Sequence, residues 1–173
     1  MKTASVFFAV CLLAVTSSAF GGQAANVPSS IQDYYRKRDG FVIAKNSSGM
    51  QKLIESTHVK GYEGTSLPDK TGKSKKTNLA HLVESMNKLF ATYGKIDGMT
   101  SKFTHVTSSK DSAVVTVASE MHGSVKDPDG QPHTVAASGT NVDTWVRVGG
   151  SWKIKTSKTA SSKILIDGKA VNR

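Results

Sequence analysis

Asp143 is the carboxylate best placed for chemistry, in the run Asn141-Val142-Asp143-Thr144-Trp145. Side chains alternate along an extended segment, so Asn141, Asp143 and Trp145 share one side. A carboxyl beside an indole loses part of its hydration. Its pKa then rises, which suits it to take a proton from carbon next to a carbonyl. Other chemically capable residues lack the spacing. His58, His81, His105, His122 and His133 form neither a His-x-His nor a helical i, i+4 pair, so structural or surface roles are assigned to them and no metal site is expected. Asp127-Pro128-Asp129-Gly130 opens like a calcium loop but lacks the later ligands and the closing Glu, and a hairpin turn accounts for it. Gly72-Lys73-Ser74 is not a phosphate loop, because Leu67 stands where the first glycine is required. No cofactor is expected.

Two turns set which residues face together. The Gly149-Gly150 pair between alternating segments predicts a two-residue β-hairpin, since glycine adopts the positive φ that such turns need. Its register pairs Val148 with Ser151, Trp145 with Ile154, Asp143 with Thr156 and Asn141 with Lys158. A second hairpin at Asp127–Gln131, with Gly130 left-handed, pairs Met121 with Ala137, Val117 with Asn141 and Val115 with Asp143. Both turns put Trp145, Trp152 and Ile154 on one face with Val115, Val117, Ser119 and Met121. Burying two indoles and an isoleucine is worth on the order of several kcal/mol at about 25 cal/mol per Å², so this face meets the helices. Asn141, Asp143, Thr156 and Lys158 continue it. The opposite face, with Val142, Thr144, Val146, Glu120 and His122, is either solvated or a sheet-to-sheet contact. Phe103 and His105 are left open to either side.

The helices that cover the sheet come first. One starts at Ile31, capped by Ser29 or Ser30, and carries Ile31, Tyr34, Tyr35, Phe41 and Val42 along one face, weakened by Gly40. A shorter one follows Ser47 or Ser48 with Met50, Leu53 and Ile54. Residues 57–65 read as extended and 67–76 as a loop. The clearest helix spans 77–93, with Leu79, Leu82, Val83, Met86, Phe90 and Tyr93 at spacings of three and four and a left-handed Gly94 as its stop. Strands follow at 99–108, 112–124, 133–148 and 151–162, extended through Ile164-Leu165-Ile166. Helices followed by an antiparallel meander make an α+β domain.

Met1 and Lys2, the apolar run Val6–Val15 and the small residues Ser17, Ser18 and Ala19 predict a secretory signal peptide over 1–19. The run is too short to cross a bilayer, so the mature chain is expected to be secreted or periplasmic, without membrane insertion. Residues 20–29 are expected to be a disordered lead-in and 30–171 a single domain. Cys11, the only cysteine, lies in the leader, which leaves the mature chain without disulfide or thiol chemistry. The net charge is +10, but the basic residues are scattered. Arg36-Lys37-Arg38 and Lys70–Lys76 are the densest groups and lack the interleaved aromatics of a nucleic-acid surface, so no nucleic-acid partner is expected and both read as solvated.

The order of elements, with Asp143-Thr144-Trp145-Val146-Arg147, then Gly149-Gly150-Ser151-Trp152-Lys153-Ile154 and Ser161–Lys169, resembles the nuclear-transport-factor-2-like superfamily. It looks closest to the exported ketosteroid-isomerase-like and polyketide-cyclase-like branch, over residues 31–171. The resemblance implies a cone, in which a strongly curved antiparallel sheet wraps around N-terminal helices, with a pocket at the open end and a homodimer through the outer sheet face. Related isomerases combine a carboxylate base with hydrogen-bond donors. Here Asp143 would be the base, and Tyr34, Tyr35 or Lys158 the donor, in a pocket completed by Asn141, Trp145 and Thr156. A structural ion pair between Asp143 and Lys158 is the competing reading. The superfamily holds isomerases, dehydratases, cyclases and proteins without catalysis, so fold does not settle activity. The expectation is an exported domain binding an unidentified small molecule, without evident catalysis. An isomerase or dehydratase using Asp143, and a protein-interaction module, are the alternatives.

Overall fold

The computed structural model describes residues 27–171. The leader and most of the lead-in lie outside them. Helix α1 (Ser29–Ile43) follows directly on Pro28 and has no side-chain cap. Its buried face is Ile31, Tyr34, Tyr35 and Val42, and Val27 ahead of it is also in the core. The helix stops at a left-handed Lys45, φ 49°, which lets Asn46 N–H bond back to Phe41 O at 2.8 Å. Helix α2 (Ser47–Thr57) is capped by Asn46, whose Oδ1 accepts from Gly49 N at 2.8 Å and satisfies one of the free amides of the first turn. Strand β1 (His58–Thr65) follows without a loop, then the two-residue strand β2 (Lys76–Thr77) and helix α3 (Leu79–Thr92), capped by Asn78.

No left-handed stop follows α3. Its C-cap Tyr93 is already extended, with φ −77° and ψ 125°, and begins strand β3 (Tyr93–Ser108). Gly94 therefore belongs to a strand. It sits at the register shift between Tyr93 and Lys95, next to Ser124 of β4, and does not terminate the helix. Strands β4 (Ser112–Lys126), β5 (Pro132–Val148) and β6 (Ser151–Ile166) complete the meander, and β7 (Lys169–Ala170) folds back on β6.

The result is the expected α+β cone, with three helices against one strongly curved, unclosed sheet in the order β2-β1-β6-β5-β4-β3. The sheet is mixed rather than wholly antiparallel, because β1 runs parallel to β6. Its curvature has local causes. Register shifts interrupt the β3–β4, β5–β6 and β1–β6 pairs, and each extra residue bends its strand and adds twist.

The Asp127 hairpin forms in the expected register. Asp127 N–H bonds to Gln131 O at 3.0 Å, Gly130 has φ 82°, and Met121, Val117 and Val115 pair with Ala137, Asn141 and Asp143. Val115, Val117, Ser119 and Met121 are all buried. The Gly-Gly hairpin also forms, with positive φ at both glycines, and Trp145 pairs with Ile154. Both are about 1% exposed, and complete burial of each side chain contributes roughly 1.5–3 kcal/mol. Beyond that point the register departs from expectation. A bulge inserts Lys155, so Thr144 pairs with Thr156 and Asp143 with Ser157. The same shift leaves Asn141 opposite Thr159 rather than Lys158, and a second one falls between Asn141 and Thr140. Because side chains alternate, one inserted residue turns Thr156 and Lys158 outward and brings Ser157 and Thr159 in. On the first meander strand, a further bulge separates Phe103, which packs against the core and meets Tyr35 edge-on at 5.2 Å, from an exposed His105.

Candidate functional site

Between the helices and the concave sheet face lies a partly open cavity of about 190 Å³. Its walls are apolar on the helix side, with Met50, Ile54, Leu82, Met86 and Leu89. Polar groups gather where α1 meets the sheet, namely Tyr34, Arg38, Ser119, Asn141, Asp143 and Ser157.

Asp143 is 5% exposed. The hydroxyl of Tyr35, nearly two turns into α1, donates to its Oδ2. Among the described residues Oδ1 has no hydrogen-bond partner, which leaves a buried acceptor open in a residue that lines the cavity. Burial pushes the carboxyl above its usual range. The Ser157 and Tyr35 hydroxyls and the Arg38 charge pull the other way without overcoming it. Ser157 exerts this effect from across the strand pair but closes no well-formed bond to Oδ1. Tyr35 stays a donor, because burial, and then the Asp143 charge, hold its pKa well above normal.

Of the side chains expected to surround Asp143, the structure brings Tyr34 and Asn141 to the cavity wall. Tyr35 and Trp145 stand behind it. Trp145 meets Tyr34 edge-on at 5.1 Å, and its indole N–H is the other buried polar atom without a partner among the described residues. Thr156 and Lys158 do not line the cavity, because the bulge at Lys155 reverses their facing. Lys158 is exposed on the outer face, so the Asp143–Lys158 ion pair is not formed.

Arg38 and His58 are among the cavity residues that were not anticipated. Arg38 belongs to a basic run that reads as solvated, yet its side chain is only 15% exposed. It pairs with Asp39 through Nε at 3.1 Å and Nη2 at 2.9 Å, bonds to Ser101 and, at 3.0 Å, to Ser119, and lies 4.9 Å from the Tyr35 ring centre. Ser101 and Ser119 face each other across β3 and β4, so this network ties α1 to the sheet beside Asp143. Its signal is helical spacing, since Arg38 follows Tyr34 by four and Tyr35 by three, on the same face. The second is His58, 6% exposed at the start of β1. A carbonyl only accepts, so the 2.9 Å contact with Ile54 O places the proton on Nδ1 and leaves Nε2 as the basic nitrogen. Burial lowers its pKa to about 4, against the opposing effect of the Ile54 bond, and the imidazole is neutral at physiological pH. Tyr34 and Tyr62 meet it edge-on at 6.0 and 4.8 Å. Among the described residues no group of three or more His, Cys, Asp or Glu is placed to hold a metal ion.

Solved structures share this architecture. A nuclear transport factor 2-like superfamily protein from Salmonella enterica superposes with a TM-score of 0.55 at 13% identity, covering 77% of this chain and 89% of that one. A protein from Kribbella flavida gives 0.61 at 12% identity, covering 78% and 88%. A type 2 hexachlorocyclohexane dehydrochlorinase gives 0.56 at 17% identity, covering 79% and 87%. The chain therefore has the nuclear-transport-factor-2-like fold. No protein-family model matches it, and no curated protein does.

Proposed function

We propose that this chain is a small-molecule-binding protein whose cone holds a partly apolar molecule with an oxygen on Asp143. The observation that carries this reading is Asp143 Oδ1, a buried oxygen without a partner among the described residues, in a cavity-lining side chain. Such a group costs about 1–3 kcal/mol when left unsatisfied, and a ligand that bonds to it recovers much of that. With Tyr35 donating to Oδ2, Oδ1 is free to accept from a ligand hydroxyl, or to donate to a ligand oxygen when the carboxyl holds its proton. Arg38 borders the same space, and the methionine and aliphatic walls take the rest of the molecule. Export belongs to this proposal, supported by the leader-like first nineteen residues. So does a homodimer through the outer sheet face, supported by the half-buried Val142, Thr144 and Val146 and the exposed Val114.

His58 favours a second reading, proton-transfer chemistry of the isomerase or dehydratase kind with Asp143 as general base. A neutral imidazole and a carboxyl of raised pKa share one cavity, which supplies two proton carriers to one bound molecule. A dehydrochlorinase among the structures of this fold is compatible with that chemistry. The two readings separate by NMR. Acetophenone, cyclohexyl methyl ketone and benzoate are titrated into the protein, and deuterium exchange at the carbon next to each ketone carbonyl is followed in wild type, Asp143→Asn and His58→Gln. Binding without protein-dependent exchange supports the binding protein. Exchange that disappears in Asp143→Asn establishes the enzyme, and failure of every probe to bind removes both.

A further inference from the structure

The methionines of the domain are not spread through its core. Every one among the described residues, Met50, Met86, Met99 and Met121, lines the cavity. They come from α2, α3, β3 and β4, so thioethers bound the space from the helix side and from the sheet side. Met50 and Met121 are 2% and 1% exposed, and Met86 and Met99 pack against the same core. Away from the cavity, the core is filled by branched aliphatics and aromatic rings. Methionine commonly fills irregular gaps, because it is unbranched and adaptable. Here four of them surround a gap and leave it open at about 190 Å³.

We infer that the molecule held in this cavity is a single-ring aromatic carbonyl compound, its ring among the four thioethers and its oxygen toward Asp143. The inference rests on the small-molecule-binding reading and specifies its ligand. Size carries the first part. An apolar cavity of about 150 Å³ accommodates benzene, so the volume here admits one ring with a short polar substituent. Chemistry carries the second. Polarizable sulfur gains more against an aromatic ring than against a saturated one of equal size. The ring pair Tyr34 and Tyr62, packed edge-on around His58, adds aromatic surface to the same wall. Oδ1, unpartnered among the described residues, provides a polar anchor, donating to the carbonyl oxygen when the carboxyl holds its proton.

Acetophenone and cyclohexyl methyl ketone have the same number of non-hydrogen atoms and the same carbonyl, and differ in aromaticity. The wild-type chain is expected to bind acetophenone about tenfold more tightly, the combined effect of two sulfur–ring contacts. In a variant with Met86→Leu and Met99→Leu, the preference should shrink severalfold while both ketones still bind. Because that variant can lose fold integrity, the wild type is also labelled at its methionine methyl carbons. Acetophenone should shift the cavity methyl resonances upfield through the ring current, and the cyclohexyl ketone should not. Equal affinities without ring-current shifts overturn the ligand class and leave the binding reading intact. A preference unchanged in a folded leucine variant overturns the role of the thioethers. Absence of binding by both ketones overturns the inference together with the reading beneath it.

Discussion

Replacing Tyr35 with Phe removes one oxygen and leaves the ring, so its edge-on packing with Tyr34, Phe103 and Trp145 survives. What is lost is the Tyr35 hydrogen bond to Asp143 Oδ2, in a carboxyl whose Oδ1 is already unpartnered among the described residues. Leaving a buried acceptor unsatisfied costs about 1–3 kcal/mol, and a domain of this size loses roughly 2–4 °C in Tm per kcal/mol, so a fall of about 4–8 °C is expected for a 2 kcal/mol loss. The loss depends on pH. The Tyr35 hydroxyl lowers the Asp143 pKa, hence favours the carboxylate, and its removal raises the folded pKa further above the unfolded value. A carboxyl with a raised folded pKa weakens the fold as pH rises, since the native state then holds the proton that the unfolded state releases. The difference between variant and wild type is therefore smallest in acid, where both carboxyls are protonated, and grows as pH rises through the folded wild-type value. Urea unfolding across that range measures it. A double-mutant cycle with Asp143→Asn isolates the pair. A coupling energy below about 0.5 kcal/mol, or a cost of Tyr35→Phe that ignores pH, refutes the reasoning.

The remaining expectations concern the frame and its titrating groups. At Gly123 in β4, a Cβ would press on the Lys95 carbonyl oxygen and lie 3.2 Å from Ile96 Cα, both backbone atoms that cannot swing aside. Gly123→Ala should therefore cost more than about 1 kcal/mol by urea unfolding, while Gly98→Ala, with nothing within 4 Å of its Cβ, should cost far less. His58 keeps a folded pKa of about 4, so the unfolded chain binds a proton that the native chain refuses between that value and about 6.5. Stability should fall as pH drops through this window, and His58→Gln should flatten that part of the profile. His133 contacts Asp167 at 2.6 Å and Asp127 at 3.4 Å, which raise its pKa, Asp167 first. Its contribution is present in acid and lost as pH rises through the raised value, and an NMR titration of Asp167→Asn should bring that value back toward the ordinary one.

Apolar alternation made most of the fold readable. Val115, Val117 and Met121 have the same parity as Trp145 and Ile154, and both hairpin turns carry glycine where positive φ is needed. The register fails where that signal stops. Lys155, Thr156, Ser157, Lys158 and Thr159 are all polar, so nothing in the chain marks the bulge that exchanges Thr156 and Lys158 for Ser157 and Thr159. Asp143 was identifiable because it stands two residues before a buried indole. His58 was not, since a single histidine where a helix passes into a strand has no periodic partner. Arg38 had a signal in its spacing from Tyr34 and Tyr35, but it was masked by the charge of its neighbours Arg36 and Lys37. Gly94 suggested a helix stop by its type alone. The structure ends α3 by turning Tyr93 directly into a strand buried on one side, and tertiary pairing with β4 replaces the cap.

A crystal of the protein soaked with acetophenone should show density for one ring in the cavity between α3 and the sheet, with the carbonyl oxygen at hydrogen-bond distance from Asp143 Oδ1. A cavity occupied by water alone, or a ketone bound only elsewhere with Oδ1 still unpartnered, would contradict it.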